Sequence, residues 1–211
     1  MDTVCYNAAM NAWAFSDRKG KEKRVMALLQ EMMDSTFPVT DPNTLSFNTA
    51  IYTCAYAITE TDAERAYAVK SAVDMLVKLL RNQPLFGWAN QHSFGNVFLA
   101  IARHMPPGPK RDELAESIFW ECCQAGHVGV LVLQRLRIAA SPKKLRELIG
   151  PAILRHTEKE FVFNSWTLPY PWRRFVLNAQ TRSSLLKGTN RERTIQGGRG
   201  DTKASASNSR K

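Results

Sequence analysis

No apolar stretch in this 211-residue sequence approaches the roughly eighteen residues that a membrane-crossing helix needs, which excludes that class. Cysteine is scarce as well. Cys5, Cys54, Cys122 and Cys123 show no C-x-x-C spacing, and the adjacent pair cannot easily chelate or bridge. All four read as small apolar core residues of a reducing compartment. Neither G-x-x-x-x-G-K-[ST] nor G-x-G-x-x-G is present, so a phosphate-cradling glycine loop is excluded. His92, His104, His127 and His156 stand far apart, without H-E-x-x-H, Cys/His ligand spacing or a nearby acidic cluster. The expectation is a chain with no catalytic residues, no metal site and no cofactor. The opening Met1-Asp2-Thr3-Val4-Cys5-Tyr6 is neither a signal-peptide core nor an Arg-rich, acid-poor transit peptide. Either no targeting segment exists or the true start lies upstream.

Acidic residues are missing mainly from one end. Residues 1–170 carry 19 Lys and Arg against 17 Asp and Glu, whereas residues 171–211 carry 10 against 2. The net charge of +10 is therefore largely a property of the last forty residues. It says little about what the folded part binds, although a basic excess is compatible with nucleic acid. From about Ser183 onward Gly, Ser, Thr, Asn, Arg and Lys dominate, and residues 183–211 are expected to form a disordered basic tail.

What is present is internal repetition. Thr3-Val4-Cys5-Tyr6-Asn7-Ala8-Ala9-Met10 aligns with Thr44-Leu45-Ser46-Phe47-Asn48-Thr49-Ala50-Ile51, and more weakly with Gln91-His92-Ser93-Phe94-Gly95-Asn96-Val97-Phe98. The spacings are 41 residues from Asn7 to Asn48 and 47 from Asn48 to Gly95. Both fall in the window of roughly 20 to 50 residues that marks stacked helical units. A second amphipathic segment follows each start: Lys23 to Asp34, a helix opening at Thr61-Asp62 with Asp62 as its expected N-cap, and a run from Pro109 to Cys123 stopped by Gly126. Three helix-turn-helix units result, over residues 3–43, 44–90 and 91–130. Val130 to Leu136 and Pro142 to Ile149 predict two further helices that cap the open apolar face. Residues 131–182 as a whole, with Trp166, Trp172, Tyr170, Phe161, Phe163 and Phe175, form the cap and an irregular aromatic-rich segment.

The recurring asparagines are the candidate site. In stacked helical units the first turn of the first helix and the last residue of the unit face one groove, so two side chains can grip one base edge. The pairs are Asn7 with Asn43 and Asn48 with Asn90. An amide suits that task because it carries a donor and an acceptor together. The plainer alternative makes Asn43 and Asn90 turn residues and Asn7 and Asn48 ordinary helix starts. Recurrence of both members at matched places favours the first reading.

Val4 to Ala14, followed by Leu28-Leu29-Gln30-Glu31-Met32 and Asp41-Pro42-Asn43, resembles a pentatricopeptide repeat. Thr44 to Asn90 resembles a second with an enlarged middle, and Gln91 to about Val130 a degenerate third. The resemblance implies an all-α, right-handed α-solenoid of stacked antiparallel helical hairpins that binds single-stranded RNA, one base per repeat, in organellar RNA processing, stability or translation. It assigns base selection to Asn7, Asn43, Asn48 and Asn90, with pyrimidines preferred and a leaning toward C. It assigns base sandwiching to Val4, Leu45 and His92. Gly95 departs from the pattern, having no side chain to read with. The insertions Ser35 to Asp41 and Asn82 to Trp88 make the units longer than the family norm. Chloroplast or mitochondrion follows from the resemblance alone, as does the expectation that this chain is the C-terminal portion of a longer array. The competing reading is a helical-repeat scaffold for protein partners, and a minor one makes Trp172-Arg173-Arg174-Phe175 and the tail a separate RNA clamp.

Overall fold

Each unit starts where a short polar side chain stops the backbone from being helical and offers an oxygen to the free N–H groups of the first turn. Asp2, Asn43 and Asn90 do this for the first helices of three successive units in the computed structural model, which describes residues 1–150, 153–156 and 161–176. The helices in chain order are α1 (Thr3–Ala14), α2 (Lys21–Asp34), α3 (Thr44–Ala55), α4 (Asp62–Arg81), α5 (Gln83–Phe86), α6 (Gln91–His104), α7 (Pro109–Ala125), α8 (Val130–Ala139) and α9 (Pro142–Ile149). Residues 170–176 are also helical. The described residues are thus predominantly helical, and no helix among them is long and apolar enough to cross a membrane.

The cap of α4 is Thr61, not Asp62. The Thr61 hydroxyl accepts from the Glu64 N–H at 3.2 Å, and Glu64 accepts from the N–H groups of Thr61 at 3.1 Å and Glu60 at 2.7 Å. Those two backbone donors, with Lys19 beside them, pull the Glu64 carboxyl down to about 2. Gly126 ends α7 in the left-handed conformation at φ 75°, as a glycine stop requires. The insertions after α2 and α4 are themselves short turns of helix, a 3₁₀ turn over Pro38–Thr40 and α5.

Successive helices pack in pairs, α1 on α2, α3 on α4 and α6 on α7, while α3 packs on both α1 and α6, and α6 on α8. The first helix of each unit is therefore the shared element. Phe47 and Phe94, the aromatics of the repeated start, are fully buried, and with Met10, Leu29, Ile51, Leu76, Phe98, Phe119 and Leu133 they form one continuous core. Burial of each such side chain contributes about 1.5–3 kcal/mol. Cys54, Cys122 and Cys123 belong to this core, but Cys5 is exposed on α1, against expectation, whereas Ser46 and Ser93 at the matching positions of the repeat are buried.

Helix α8 extends the row of first helices, and Asp112 ties α9 to α7 by accepting from the Ser141 N–H at 2.7 Å and its hydroxyl at 2.5 Å. Beyond α9, β1 (Ile153–His156) and β2 (Phe161–Phe163) make a short antiparallel ladder, Ile153 opposite Phe163 and His156 opposite Phe161, with an irregularity after Ile153. The aromatic-rich segment thus holds a strand pair that its composition did not signal. Trp172 packs edge-on to Phe119 and Trp120 at 5.9 and 5.4 Å between ring centres. The expected tail, 183–211, lies outside the described residues.

Candidate nucleic-acid interface

The starts of α1, α3 and α6 are built alike. Asp2 accepts from the Cys5 N–H at 2.8 Å. Asn43 accepts from Leu45 and Ser46 at 3.0 and 3.2 Å, and Asn90 from His92 and Ser93 at 2.9 and 3.3 Å. The first residue of a unit also holds the end of its own linker: the Thr3 hydroxyl donates to the carbonyls of Val39 and Asp41 at 3.0 and 2.9 Å, and the Thr44 hydroxyl to Trp88 at 3.1 Å. Gly87 is needed for the second of these clasps. Its φ is +83°, and a Cβ there would lie 2.5 Å from the Thr44 hydroxyl oxygen.

These clasps bring the two asparagines of each unit together around a serine of the next helix. The Ser46 hydroxyl donates to Asn7 Oδ1 at 2.7 Å and accepts from the Asn43 N–H at 3.1 Å. The Ser93 hydroxyl donates to Asn48 Oδ1 at 2.6 Å and accepts from the Asn90 N–H at 3.0 Å. Asn48 Nδ2 reaches Asn90 Oδ1 at 3.4 Å. Both serines also lie 3.3–3.5 Å from the oxygen of the capping asparagine, but that oxygen already serves two backbone N–H groups. The single hydroxyl proton therefore goes to the nearer acceptor.

Two expectations change. Asn43 and Asn90 are helix caps as well as members of the pairs, so the plainer alternative describes part of what they do. Nor are the four amides free groups: each side-chain carbonyl oxygen accepts at least one hydrogen bond inside the protein, and Asn48 Nδ2 is directed to Asn90 Oδ1.

Val4, Leu45 and His92 are each the second residue of their helix, and all three are exposed, Val4 by 73% and Leu45 by 53%. In the second unit they flank a groove of about 490 Å³ lined by Leu45, Asn48, Asn90 and His92, together with Asn11, Phe15, Thr44, Thr49, Tyr52 and Asn96. Val4, Asn7 and Asn43 lie outside this groove, and Asn7 is itself buried. The Phe15 and Tyr52 rings lie 5.5 Å apart, Tyr52 and Tyr56 4.6 Å, and Arg103 sits 4.7 Å above Tyr56. Burial pushes the Tyr52 phenol up, against the pull of the nearby Arg103 and Arg135 cations. Gly95 is buried beneath Leu131 and Arg135 of α8, so the third unit offers no matching pair.

Elsewhere the inventory is structural. His104 is buried, its Nε2 3.0 Å from the Cys54 carbonyl and its Nδ1 3.4 Å from the Thr59 hydroxyl. Cys54 is pushed up to about 12 by burial. No cluster of three or more His, Cys, Asp or Glu positioned to hold a metal ion occurs among the described residues. Arg173 donates to the Leu168 carbonyl at 3.0 Å, and Arg174 lies 4.7 Å over the Phe175 ring, so both side chains of the supposed clamp have contacts within their own segment.

Ser46 and Ser93 were missed at the sequence level, though Asn-x-x-Ser at Asn43–Ser46 and Asn90–Ser93 is a legible capping signature. Thr49, Tyr52 and Asn96 were missed too; each stands four residues after a chosen residue, the spacing that shares a helix face. Compared with known proteins, the chain matches no family model, no curated protein and no solved structure.

Proposed function

We propose that the chain is an α-solenoid of antiparallel helical hairpins that binds single-stranded RNA sequence-selectively, without catalysis. The supporting observation is the twice-built Asn–Ser–Asn arrangement, at Asn7/Ser46/Asn43 and Asn48/Ser93/Asn90, with Leu45 and His92 flanking the groove of the second. Leu45 and His92 sandwich a base, and Asn48 and Asn90 donate to its edge. Arg103 and Arg135, cations near Tyr52 of the groove, are the residues that would neutralise backbone phosphates in this reading. The pentatricopeptide resemblance adds organellar RNA processing, stability or translation as the setting, in a chloroplast or mitochondrion. Because stacking contributes only about 1–3 kcal/mol per base, two reading units bind weakly, and the full affinity belongs to a longer array.

Fluorescence polarisation with short single-stranded RNA tests this. A pyrimidine-rich strand binds better than an A-rich one, affinity falls steeply with salt, and Asn48→Asp changes the preferred base. Unchanged preference in a folded Asn48→Asp protein sinks base reading.

A second reading, a scaffold for a protein partner, is favoured by one observation. A groove of about 550 Å³ lies between α4 and the α6–α7 connection, lined by Ala66, Val69, Val73, Met105, Pro106 and Leu114 together with Asp62, Arg65, Lys70, Asp74 and His104. Val73→Asp abolishing capture of a copurifying protein, with RNA binding intact, supports it; absence of any such partner counts against it.

A further inference from the structure

We infer that Phe15 and Tyr52 form a second nucleotide position in the groove, a stacking ledge that takes the base next to the read one regardless of its identity. The inference rests on the RNA reading proposed above and adds to it a contact that supplies affinity without selection.

The groove is longer than base reading uses. Leu45 and His92, with Asn48 and Asn90, occupy the end at the helix starts. Phe15 caps the C-terminus of α1, and Tyr52 stands seven residues beyond Leu45 on α3, about 10 Å further along the helix. Both line the same groove. Neither side chain belongs to the hydrophobic core, and Phe15 is 72% exposed, so folding does not account for them. One exposed aromatic is ordinary on any surface. Here two such rings, from two different helices, face one groove with their centres 5.5 Å apart, and a third continues the row, Tyr56 at 4.6 Å from Tyr52. Tyr56 packs against the core and anchors the row.

The Arg103 guanidinium, 4.7 Å from the centre of the Tyr56 ring, ends it. Two accessible rings, an anchored ring and a cation follow the order in which a nucleotide presents its base and its phosphate. The base stacks on Phe15 and Tyr52, and its phosphate turns toward Arg103. Between the ledge and the reading end the lining is polar: the Thr49 hydroxyl donates to Asn11 Oδ1 at 3.2 Å, and Asn96 lies on the α6 side. That stretch suits the hydroxyl-bearing ribose that joins two bases. A π face stacks on any base, so the ledge does not discriminate. Its loss lowers affinity for every base alike, whereas changes at Asn48 alter the preference.

The test uses the full chain in fluorescence polarisation against oligocytidine and oligouridine hexamers and a hexamer of abasic ribose phosphates. Tyr52→Ala is expected to weaken both base-bearing hexamers by the same factor, at least about fivefold, the lower end of what one stacked base contributes. Binding of the abasic hexamer stays at its wild-type level. Phe15→Ala, at an exposed helix end, gives the same pattern if the Tyr52 variant folds poorly, and Tyr52→Trp, which keeps a stacking face, retains wild-type affinity. Equal loss on the abasic hexamer, loss on one base only, or no loss in folded Phe15→Ala and Tyr52→Ala overturns the ledge. In that event Asn48→Asp still shifting the base preference leaves base reading standing. Wild type that binds neither base-bearing hexamer overturns both.

Discussion

Asn90 caps α6 and lines the candidate groove, and two substitutions separate the cap from the proposed contact with a base. Its oxygen accepts from His92 N at 2.9 Å, Ser93 N at 3.3 Å and Asn48 Nδ2 at 3.4 Å. Asn90→Ala removes both functions. The lost cap destabilises α6 by about 1 kcal/mol, which for a chain of this size lowers the melting temperature by roughly 2–4 °C. Asn90→Asp keeps an acceptor for both backbone N–H groups and adds a negative charge at the helix start, worth about 0.3–1 kcal/mol. Its melting temperature therefore equals or exceeds that of wild type. At the groove, however, a donor has become an acceptor, so the aspartate variant loses cytosine and gains uracil, whose N3–H it can accept. Thermal melts followed by circular dichroism at pH 7, paired with polarisation measurements on the two RNAs, give both readings. Equal melting of the Ala and Asp variants refutes the capping argument. An aspartate variant with unaltered base preference refutes the claim that Asn90 touches the base.

Gly95→Ala stabilises the protein by about 0.5–1 kcal/mol in denaturant melts, because an added Cβ meets Leu131 and Arg135 only at ordinary contact distances of 3.6–3.7 Å and the helix gains a better former. Gly126→Ala does the opposite, by about 1–2 kcal/mol: its φ is +75° and the new Cβ would lie 2.8 Å from Arg174 Cγ, so tryptophan fluorescence reports loosening around Trp172. Stability also depends on pH through His104, whose ring burial holds below its ordinary value of 6.5. The unfolded chain then binds more protons, so this contribution is full above about pH 6.5 and is lost as pH falls through the lower native value. His127 shifts in the same direction, so melting temperatures between pH 7.5 and 5 decline, and His104→Gln flattens the decline without abolishing it.

The helices were legible because their signals are local. Aromatic starts such as Phe47 and Phe94, the apolar grid of Leu28, Leu29 and Met32, and the Gly126 stop each act within a few residues, and the structure follows them. The strand pair after α9 was not legible, because Ile153–His156 is too short for a period to register and depends on a partner further along the chain. The candidate asparagines were found by recurrence, but their chemistry was not. Asparagine in isolation suggests a donor and an acceptor, and only the placement of Ser46 and Ser93, 39 and 45 residues further along, shows that the oxygens of Asn7 and Asn48 accept from inside the protein. Asp62 stands one position too late to be the cap: Thr61 and Asp62 both qualify by type, and the reciprocal bond from Glu64 decides between them.

The serine bonded to each helix-start asparagine belongs to the unit after it. The segment that repeats in the sequence and the segment that works as a module are therefore out of step by the first turn of a helix. Cutting the chain at Asn90 and transplanting residues 44–90 would carry Asn48 and Asn90 but leave Ser93 behind, together with the two backbone N–H groups that hold the Asn90 oxygen. An engineer shuffling these repeats should make the joint after Ser93. Each unit's neighbour thus helps to build its candidate site, so the order of units, not only their identity, shapes the groove.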